Sequence, residues 1–348
     1  MLRFIPKENT FFFEAAMKTH TGFLVTTAMA LLGLVIMPAF TSPALAEFPK
    51  RPVTLLVGHA AGGSLDLSAR ALARSAEKYL GQPIAVENKP GGTGTIALIT
   101  MLSRKADGYT LCAASSSSIL RAGQLHAVPF KAFTSFRPIV GYTEPLLGIV
   151  VKGDAPWKTL AELVADIRKN PGKIKYASPG VGSTQHTTVM AVILQDRLDL
   201  IHVPYKGSIE AATAVLGGHA DFAALTSEFV PMVRAGQMRL LALASEKRLG
   251  AYPDVPTMLE LGYDYSNDAV FVIVAPADID SAAVAKIDAA FLAAAKDPEY
   301  LDALGRISML PAYYDDKAYG VFMRKHWKRI NAQLKAAGLI QEAATAPE

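Results

Sequence analysis

Short apolar segments alternate along most of the chain with longer segments in which apolar residues recur every three or four positions. The first pattern is typical of buried strands and the second of helices that bury one face. The apolar runs predict strands at 52–57, 84–87, 109–114, 146–151, 174–177, 201–203, 221–225, 239–244 and 270–275. The segments between and after them predict helices at 66–80, 95–104, 159–169, 184–198, 208–216, 227–235, 282–296 and 317–336. This alternation predicts an α/β fold with mostly parallel sheets covered by helices.

The order of these elements predicts two lobes. Proline-rich connections around 137–146 and 252–268 separate two strand–helix series, and the late strand and closing helices have no series of their own. The simplest arrangement is that the late strand and the closing helices return to the lobe formed by the first series. We therefore expect one lobe from 47–146 together with 269–348, a second lobe from 147–268, and a cleft between the two.

The N-terminus has the pattern of an export signal. An almost continuous apolar run covers 23–37, Lys18 precedes it, and Ala44-Leu45-Ala46 follows it. A basic start, an apolar segment and A-x-A predict a secretory signal peptide over 1–46, cleaved after Ala46. Met17 would be a natural start, so the true start can lie near residue 17. The alternative is a membrane anchor, for which the run is shorter than the ~20 residues that a span needs.

Composition excludes several classes of function. A net charge of +4 over 348 residues is too small for a dedicated nucleic-acid binder. The single cysteine, Cys112, cannot form an internal disulfide or a cysteine-based metal site, and we expect it to be a small core residue. The seven histidines lack the paired spacing of metal ligands. We expect an exported monomer with no metal, no cofactor and no nucleic-acid partner.

Three loops share one plan, in which a strand is followed by glycines with Ser or Thr and then by a helix. They cover 61–64, 91–95 and 178–184. Loops of this kind lie at the carboxyl ends of parallel strands, where open α/β sheets bind ligands. Helix N-termini offer free N–H groups and partial positive charge, which suit a carboxylate or phosphate. The alternative is that Ser64 and Ser183 only cap helices and the glycines only allow turns.

The candidate ligand-binding residues come from these loops and from neighbouring segments. Those of the loops and their flanks are Ala61, Gly62, Gly63, Ser64, Asp66, Thr93, Gly94, Ser178, Gly180, Gly182, Ser183 and Thr184. Four more are Ser115, His186, Tyr205 and Lys206. Tyr205 could stack on a ligand and Lys206 could neutralise it. The alternatives are an ordinary polar loop at 115–118, a half-buried structural role for His186, and solvated loop positions for Tyr205 and Lys206.

Two enzyme interpretations have weak support, so we expect no catalytic residues. G-x-G-x-x-A occurs at 92–97, but 88–90 separates it from its strand and Asp107 begins a strand instead of ending one, so a dinucleotide site is not expected. A hydrolase triad could be grouped on paper from Ser178, Ser183, His186 and Asp221. The chain contains no G-x-S-x-G nucleophile elbow.

A set of motifs resembles one receptor family along most of the chain. They are FPKRPVTLLVG (48–58), AGGSLDLSAR (61–70), GQPIAVENKPGGTGT (81–95), ADGYTL (106–111), YASPGVGSTQH (176–186), HVPYKG (202–207), LGGHADF (216–222), RLLALASEKR (239–248) and PDVPTMLELGY (253–263). In this order they resemble the substrate-binding receptors of tripartite tricarboxylate transporters, the Bug-type extracytoplasmic receptors.

The resemblance implies a two-lobed fold of the type II periplasmic-binding-protein class that closes on a small organic carboxylate. Loops matching 60–66 and 178–186 would hold the ligand through N–H groups, hydroxyls and water. The implied function is a periplasmic receptor that delivers the carboxylate to a membrane transporter. The alternatives are a sensory receptor with the same ligand site and, with less support, a hydrolase. Gly58-His59 departs from the usual Pro-Phe of the family, so His59 can change the wall of the cleft and hence which ligand it binds.

Overall fold

The computed structural model describes residues 48–267 and 269–340. The predicted signal peptide, 1–46, lies outside the described residues. Those from Phe48 onward belong to one compact unit. Within this part of the chain, no helix combines the length and the apolar character that crossing a membrane requires.

The strands are β1 (Val53–Val57), β2 (Ile84–Asn88), β3 (Thr110–Ser115), β4 (Phe136–Glu144), β5 (Gly148–Lys152), β6 (Lys175–Ser178), β7 (Ile201–Pro204), β8 (Phe222–Leu225), β9 (Met238–Leu243), β10 (Phe271–Pro276) and β11 (Leu310–Tyr314). The α-helices are α1 (Ser64–Leu80), α2 (Thr95–Leu102), α3 (Ser116–Leu125), α4 (Leu160–Lys169), α5 (Thr184–Asp196), α6 (Ser208–Leu216), α7 (Phe229–Arg234), α8 (Ser281–Ala294), α9 (Pro298–Arg306) and α10 (Asp316–Ala336). A 3₁₀ turn, Gly92–Gly94, precedes α2.

The strands form two sheets, and each sheet with its helices forms one lobe. The first lobe is the sheet β11-β4-β10-β3-β1-β2 with α1–α3 and α8–α10. The second lobe is the sheet β7-β6-β8-β5-β9 with α4–α7. The chain passes from β4 to β5 and returns from β9 to β10, which pairs with β3 and β4 in the first sheet. Because the described residues form one compact unit, the lobe boundaries drawn from the sequence stay a prediction.

Both sheets are mixed, whereas the sequence predicts mostly parallel ones. In the first, β1 pairs in parallel with β2 and β3, but β10 and β11 run antiparallel to their neighbours. In the second, β6 is parallel to β7 and β8, while β5 is antiparallel to β8 and β9. Each antiparallel pair includes β4, β5 or β10, the strands at which the chain leaves or enters a lobe.

Each sheet is buried on both faces. In β1, Val53, Leu55 and Val57 face a core that α1 and α8 cover. Leu56 of β1 and Cys112 of β3 face the opposite core. In the second sheet Ile149 and Val150 likewise face opposite cores. The near-continuous apolar runs of the sequence follow from this double burial. Cys112 is fully buried, as expected of a small core residue.

The structure contains four elements that the sequence analysis missed. Strand β4 crosses a region interpreted as a proline-rich connection. Its Pro138 pairs with Val274 beside a register shift, which is how a sheet accommodates a residue without an N–H. Strand β11 carries Pro311 at the edge of its sheet. Helix α9 begins with Pro298 after the capping residue Asp297. Helix α3 replaces the polar loop considered at 115–118, because Ile119 and Leu120 bury its apolar face.

A Cβ atom at Gly58 is expected to destabilise the fold. It would lie 3.0 Å from both Cα and the carbonyl oxygen of Gly94, and neither backbone atom can rotate away. We expect Gly58→Ala to lower the free energy of unfolding by about 1–3 kcal/mol, measured by urea denaturation. Gly250→Ala is the control, since nothing lies within 4 Å of its added atom. Equal stability of the two variants would contradict the close approach.

Candidate functional site

A cavity lies between the two lobes, at the ends of the strands that the Gly- and Ser-rich loops follow. Its volume is about 580 Å³, the open mouth included. The lining residues are Gly58, His59, Leu65, Gly91, Thr93, Gly94, Ser115, Ser117, Ser118, Pro179, Ser183, Thr184, Gln185, Lys206, Gly207, Ser208, Thr226, Glu228, Ala269 and Phe271. Helices α1, α3, α5 and α6 all begin at this cavity, so it faces helix N-termini from both lobes.

The first N–H groups of two of these helices are available to a ligand. In the described part of the chain, the backbone N–H groups of Thr184 and Gln185 on α5 have no acceptor. The same holds for the N–H groups of Ser117 and Ser118 on α3. Unsatisfied donors at a helix start, together with the partial positive charge there, favour an anion.

Side chains of the two lobes meet at Thr184. Arg121 donates from Nη1 to Thr184 Oγ1 at 2.9 Å, and Ser117 Oγ lies 2.7 Å from the same oxygen. Ser115 Oγ lies 2.8 Å from Ser117 Oγ and extends the chain of hydroxyls. Arg121 also donates to Thr187 Oγ1 at 3.3 Å. The Thr184 hydroxyl therefore links α3 of the first lobe to α5 of the second.

The 178–186 loop is held by its own hydrogen bonds. Ser183 Oγ accepts from the His186 N–H at 3.1 Å and so caps α5. His186 Nδ1 accepts from the Gly182 N–H at 3.2 Å. Burial lowers the pKa of His186 to about 4, and electrostatic repulsion from His202 and Arg121 acts in the same direction. The neutral imidazole of His186 holds the loop in place by accepting this backbone hydrogen bond. His186 does not line the cavity.

The side chains considered for a hydrolase triad do not meet as one. Ser178 Oγ lies 2.7 Å from His202 Nε2 and accepts from the Gly180 N–H at 3.2 Å. Asp221 accepts from the backbone N–H of Lys175. His186 is bonded to Gly182, as described above. None of the three residues Ser178, His186 and Asp221 lines the cavity.

Asp66 organises the loop at the start of α1. Its Oδ2 accepts from the Gly62 N–H at 2.9 Å, and its Oδ1 accepts from Arg70 Nε at 2.9 Å and from Asn88 Nδ2 at 2.8 Å. Burial alone would raise the pKa of Asp66, but the bonds from Arg70, Gly62 and Asn88 outweigh it and hold the pKa below its usual value. The predicted pair with Arg70 is present, and Asp66 does not line the cavity.

Glu228 is an acidic residue of the cavity wall that the sequence analysis did not name. It follows β8 in the second lobe, yet its Oε1 accepts from the Ser64 N–H of the first lobe at 2.7 Å. Its Oε2 accepts from Thr226 Oγ1 at 2.5 Å. A carboxylate of the protein itself therefore occupies the start of α1. Its position in the segment that follows a strand, after Thr226 and Ser227, was a signal that could have identified it.

His59 and Lys206 add two ionisable groups to the lining. Burial lowers the pKa of His59, although the charge of Glu228 and a hydrogen bond with the Thr93 backbone act in the opposite direction. The Lys206 side chain is exposed, and its backbone N–H donates to Glu210 Oε2 at 2.8 Å. A buried imidazole of lowered pKa favours the neutral form, so Lys206 is the more effective cation toward an anionic ligand.

Some of the residues predicted from the sequence line the cavity, and others do not. Those that line it are Thr93, Gly94, Ser115, Ser183, Thr184 and Lys206. Those that do not are Ala61, Gly62, Gly63, Ser64, Asp66, Ser178, Gly180, Gly182, His186 and Tyr205. Most of the second set shape the loops whose backbone faces the cavity. No group of three or more His, Cys, Asp or Glu side chains in the described residues is arranged to hold a metal ion.

Comparison with known proteins gives consistent matches. The family model for the tripartite tricarboxylate transporter family receptor matches residues 68–339. A UPF0065 protein from the gbd 5' region of Cupriavidus necator is 37% identical over 318 residues, which are 90% of this chain and 95% of that protein. These matches extend over both lobes.

Solved structures resemble the whole described fold. The periplasmic binding protein BugD is 28% identical with a TM-score of 0.79, over 84% of this chain and 99% of that one. MatC from Rhodopseudomonas palustris, solved with bound malate, is 25% identical with a TM-score of 0.76, over 82% and 100% of the two chains. The two-lobed periplasmic-binding-protein fold expected from the sequence is confirmed.

We expect Asp66→Asn to lower the free energy of unfolding at neutral pH and to change it little in acid. A carboxyl whose folded pKa is lowered stabilises the protein above its unfolded pKa, and this contribution is lost as pH falls through the folded pKa. We expect the free energy of unfolding to fall by about 1–3 kcal/mol at pH 7, measured by urea denaturation. The substitution replaces the charged acceptor of these hydrogen bonds with a neutral side chain, which weakens them. The difference from wild type should shrink as the pH falls below the ordinary value of 3.8.

The exposed Asp154 provides the control for that measurement. It pairs only with Lys152 at the surface, so Asp154→Asn should change stability by less than about 0.5 kcal/mol at either pH. A pH-independent loss in Asp66→Asn would contradict a role for the charge.

Proposed function

The chain belongs to the tripartite tricarboxylate transporter receptor family, and we propose that it binds a small organic carboxylate in the cavity between its lobes. One observation carries this proposal: the unsatisfied N–H groups of Ser117, Ser118, Thr184 and Gln185 begin two helices at one cavity. A carboxylate can accept several such hydrogen bonds at once, and bonds to a charged acceptor are stronger than neutral ones. The exposed Lys206 adds a positive charge at the same cavity.

The malate that MatC holds supports a carboxylate over a phosphate as ligand. Of the sequence candidates, Thr93, Gly94, Ser115, Ser183, Thr184 and Lys206 would contact the ligand directly. The remaining candidates would act by shaping the loops. Asp66, Ser178 and His186 take part in such bonds.

We further propose that the protein is exported to the periplasm and delivers its ligand to a membrane transporter. The export signal of the sequence and the family support this role. A sensory receptor that reports ligand occupancy would use the same cavity. Deleting the gene separates the two, because a transport receptor's loss abolishes ligand uptake, whereas a sensor's loss abolishes the transcriptional response and leaves uptake intact.

A panel of carboxylic acids should raise the melting temperature of the mature protein. A ligand at ~100 times its Kd adds about 2.7 kcal/mol to the free energy of unfolding, because it binds only the folded state. Differential scanning fluorimetry with mono-, di- and tricarboxylates measures the shift. Neutral sugars of similar size are the control. A shift with a sugar and none with any carboxylate would overturn the proposal.

Thr184→Val is expected to weaken carboxylate binding about ten- to a hundredfold. The substitution keeps the shape but removes the hydroxyl that Ser117 and Arg121 contact across the lobes. The closed arrangement of the cavity then loses two hydrogen bonds, one of them from a cation. Isothermal titration calorimetry measures the affinity.

Thr188→Val is the matched control on the same helix. The Thr188 hydroxyl donates only to the Thr184 carbonyl within α5 and does not reach the other lobe. We expect its affinity to stay within about twofold of wild type. Equal losses in both variants, or a loss of stability without a loss of affinity in Thr184→Val, would contradict the assigned role.

A further inference from the structure

Glu228 places an acceptor in a cavity that is otherwise rich in donors. Its side chain is buried, with the residue 8% exposed, and it lines the cavity. It accepts one hydrogen bond from the Ser64 N–H and one from the Thr226 hydroxyl. A carboxylate has about four acceptor sites, so roughly two remain for other donors.

The described residues provide no cation for this carboxylate. None of the salt bridges involves Glu228, and Lys206, although it lines the same cavity, forms no ion pair with it. His59 is the ionisable neighbour, and burial favours its neutral form. The partial positive charge at the start of α1 offsets part of the cost of burying this carboxylate, and a cation from the ligand would offset more.

We propose that Glu228 binds a cationic amine of the ligand, so that the cavity selects compounds carrying both a carboxylate and an ammonium group. This inference rests on the proposed function and names the ligand class. The carboxylate of such a compound would lie at the starts of α3 and α5, and its ammonium would lie at Glu228. A dicarboxylate of the same length would place its second negative charge against Glu228, where like charges repel.

The position of Glu228 also connects this selectivity to the closed arrangement of the lobes. Glu228 belongs to the second lobe, whereas the Ser64 N–H that it accepts from belongs to the first. The ammonium would therefore contact a group that is held in place only when the lobes are together. The alternative is that Glu228 only joins the lobes, in which case it would show no preference for an amine.

Matched pairs of ligands test the proposal on the wild-type mature protein. The pairs are aspartate with succinate, glutamate with glutarate, and phenylalanine with 3-phenylpropanoate, which differ only in the amino group. We expect the amino member of at least one pair to bind about ten- to a hundredfold more tightly by calorimetry, as a charge-assisted hydrogen bond predicts. No pair with such a preference, while carboxylates bind, overturns the inference and leaves the proposed function standing.

Glu228→Gln tests the residue itself. Glutamine keeps the shape and an oxygen for the Ser64 N–H but removes the charge. We expect the preference for the amino member to fall to less than about threefold while the partner without an amino group binds as well or better, since repulsion is removed. An unchanged preference in this variant overturns the assignment to Glu228.

Glu77→Gln is the matched control. Glu77 also accepts a backbone N–H, from Ile84 at 2.7 Å, but it lies on α1 away from the cavity. The preference of the Glu77→Gln variant for the amino member of each pair should equal that of the wild type. If no compound of any pair binds, the inference fails, whereas the proposed function is decided by the wider panel of carboxylic acids. If Glu228→Gln does not fold, the wild-type comparison of the pairs decides the inference.

Discussion

The first N–H groups of an α-helix have no acceptor within that helix, and this constraint organises the molecule around its cavity. Helices α1, α3, α5 and α6 begin there, two from each lobe. At α1 the protein satisfies one of these groups itself, through the carboxylate of Glu228. At α3 and α5 the donors stay open toward the cavity. A binding site for an anion is the arrangement in which these remaining donors gain acceptors.

Two of the loops at the cavity, those that lead into α1 and α5, are held by bonds from their own backbone to their own side chains. Asp66 accepts from Gly62, and His186 accepts from Gly182, so that each loop is held by a buried acceptor a short distance along the chain. A neutral His186 is required for its bond, and burial supplies that state. Loops held in this way lose little conformational entropy when a ligand binds, which favours affinity.

Neither lobe contains the site alone. Thr93 of the first lobe lies beside the 178–184 loop of the second, since a Cβ at Gly180 would be in ordinary van der Waals contact, 3.4 Å, with the Thr93 methyl group. A Cβ at Gly182 would lie 2.1 Å from Leu125 Cδ1. Both glycines also have positive φ, which other residues adopt only with strain. The glycines of the 178–184 loop thus serve the contact between lobes as well as the turn.

Local periodicity was sufficient to predict most strands and helices and the three glycine-containing loops, because burial on both sheet faces leaves continuous apolar runs. It failed where local signals oppose tertiary packing. Serine competes with helical hydrogen bonding, so 115–118 suggested a loop until the core contacts of Ile119 and Leu120 were known. Pro138 suggested a connection, although a register shift accommodates it inside a sheet.

The sequence by itself determined the fold class, the family and the loops that meet a ligand cavity. Only the tertiary structure decided which side chains face that cavity. Ser64 and Glu228 lie 164 residues apart, and Ser117 and Thr184 lie 67 apart, so no local pattern relates them. Hydrophobic periodicity determines which residues a strand or helix buries. The pairing of groups from opposite lobes depends instead on how the two lobes pack against each other.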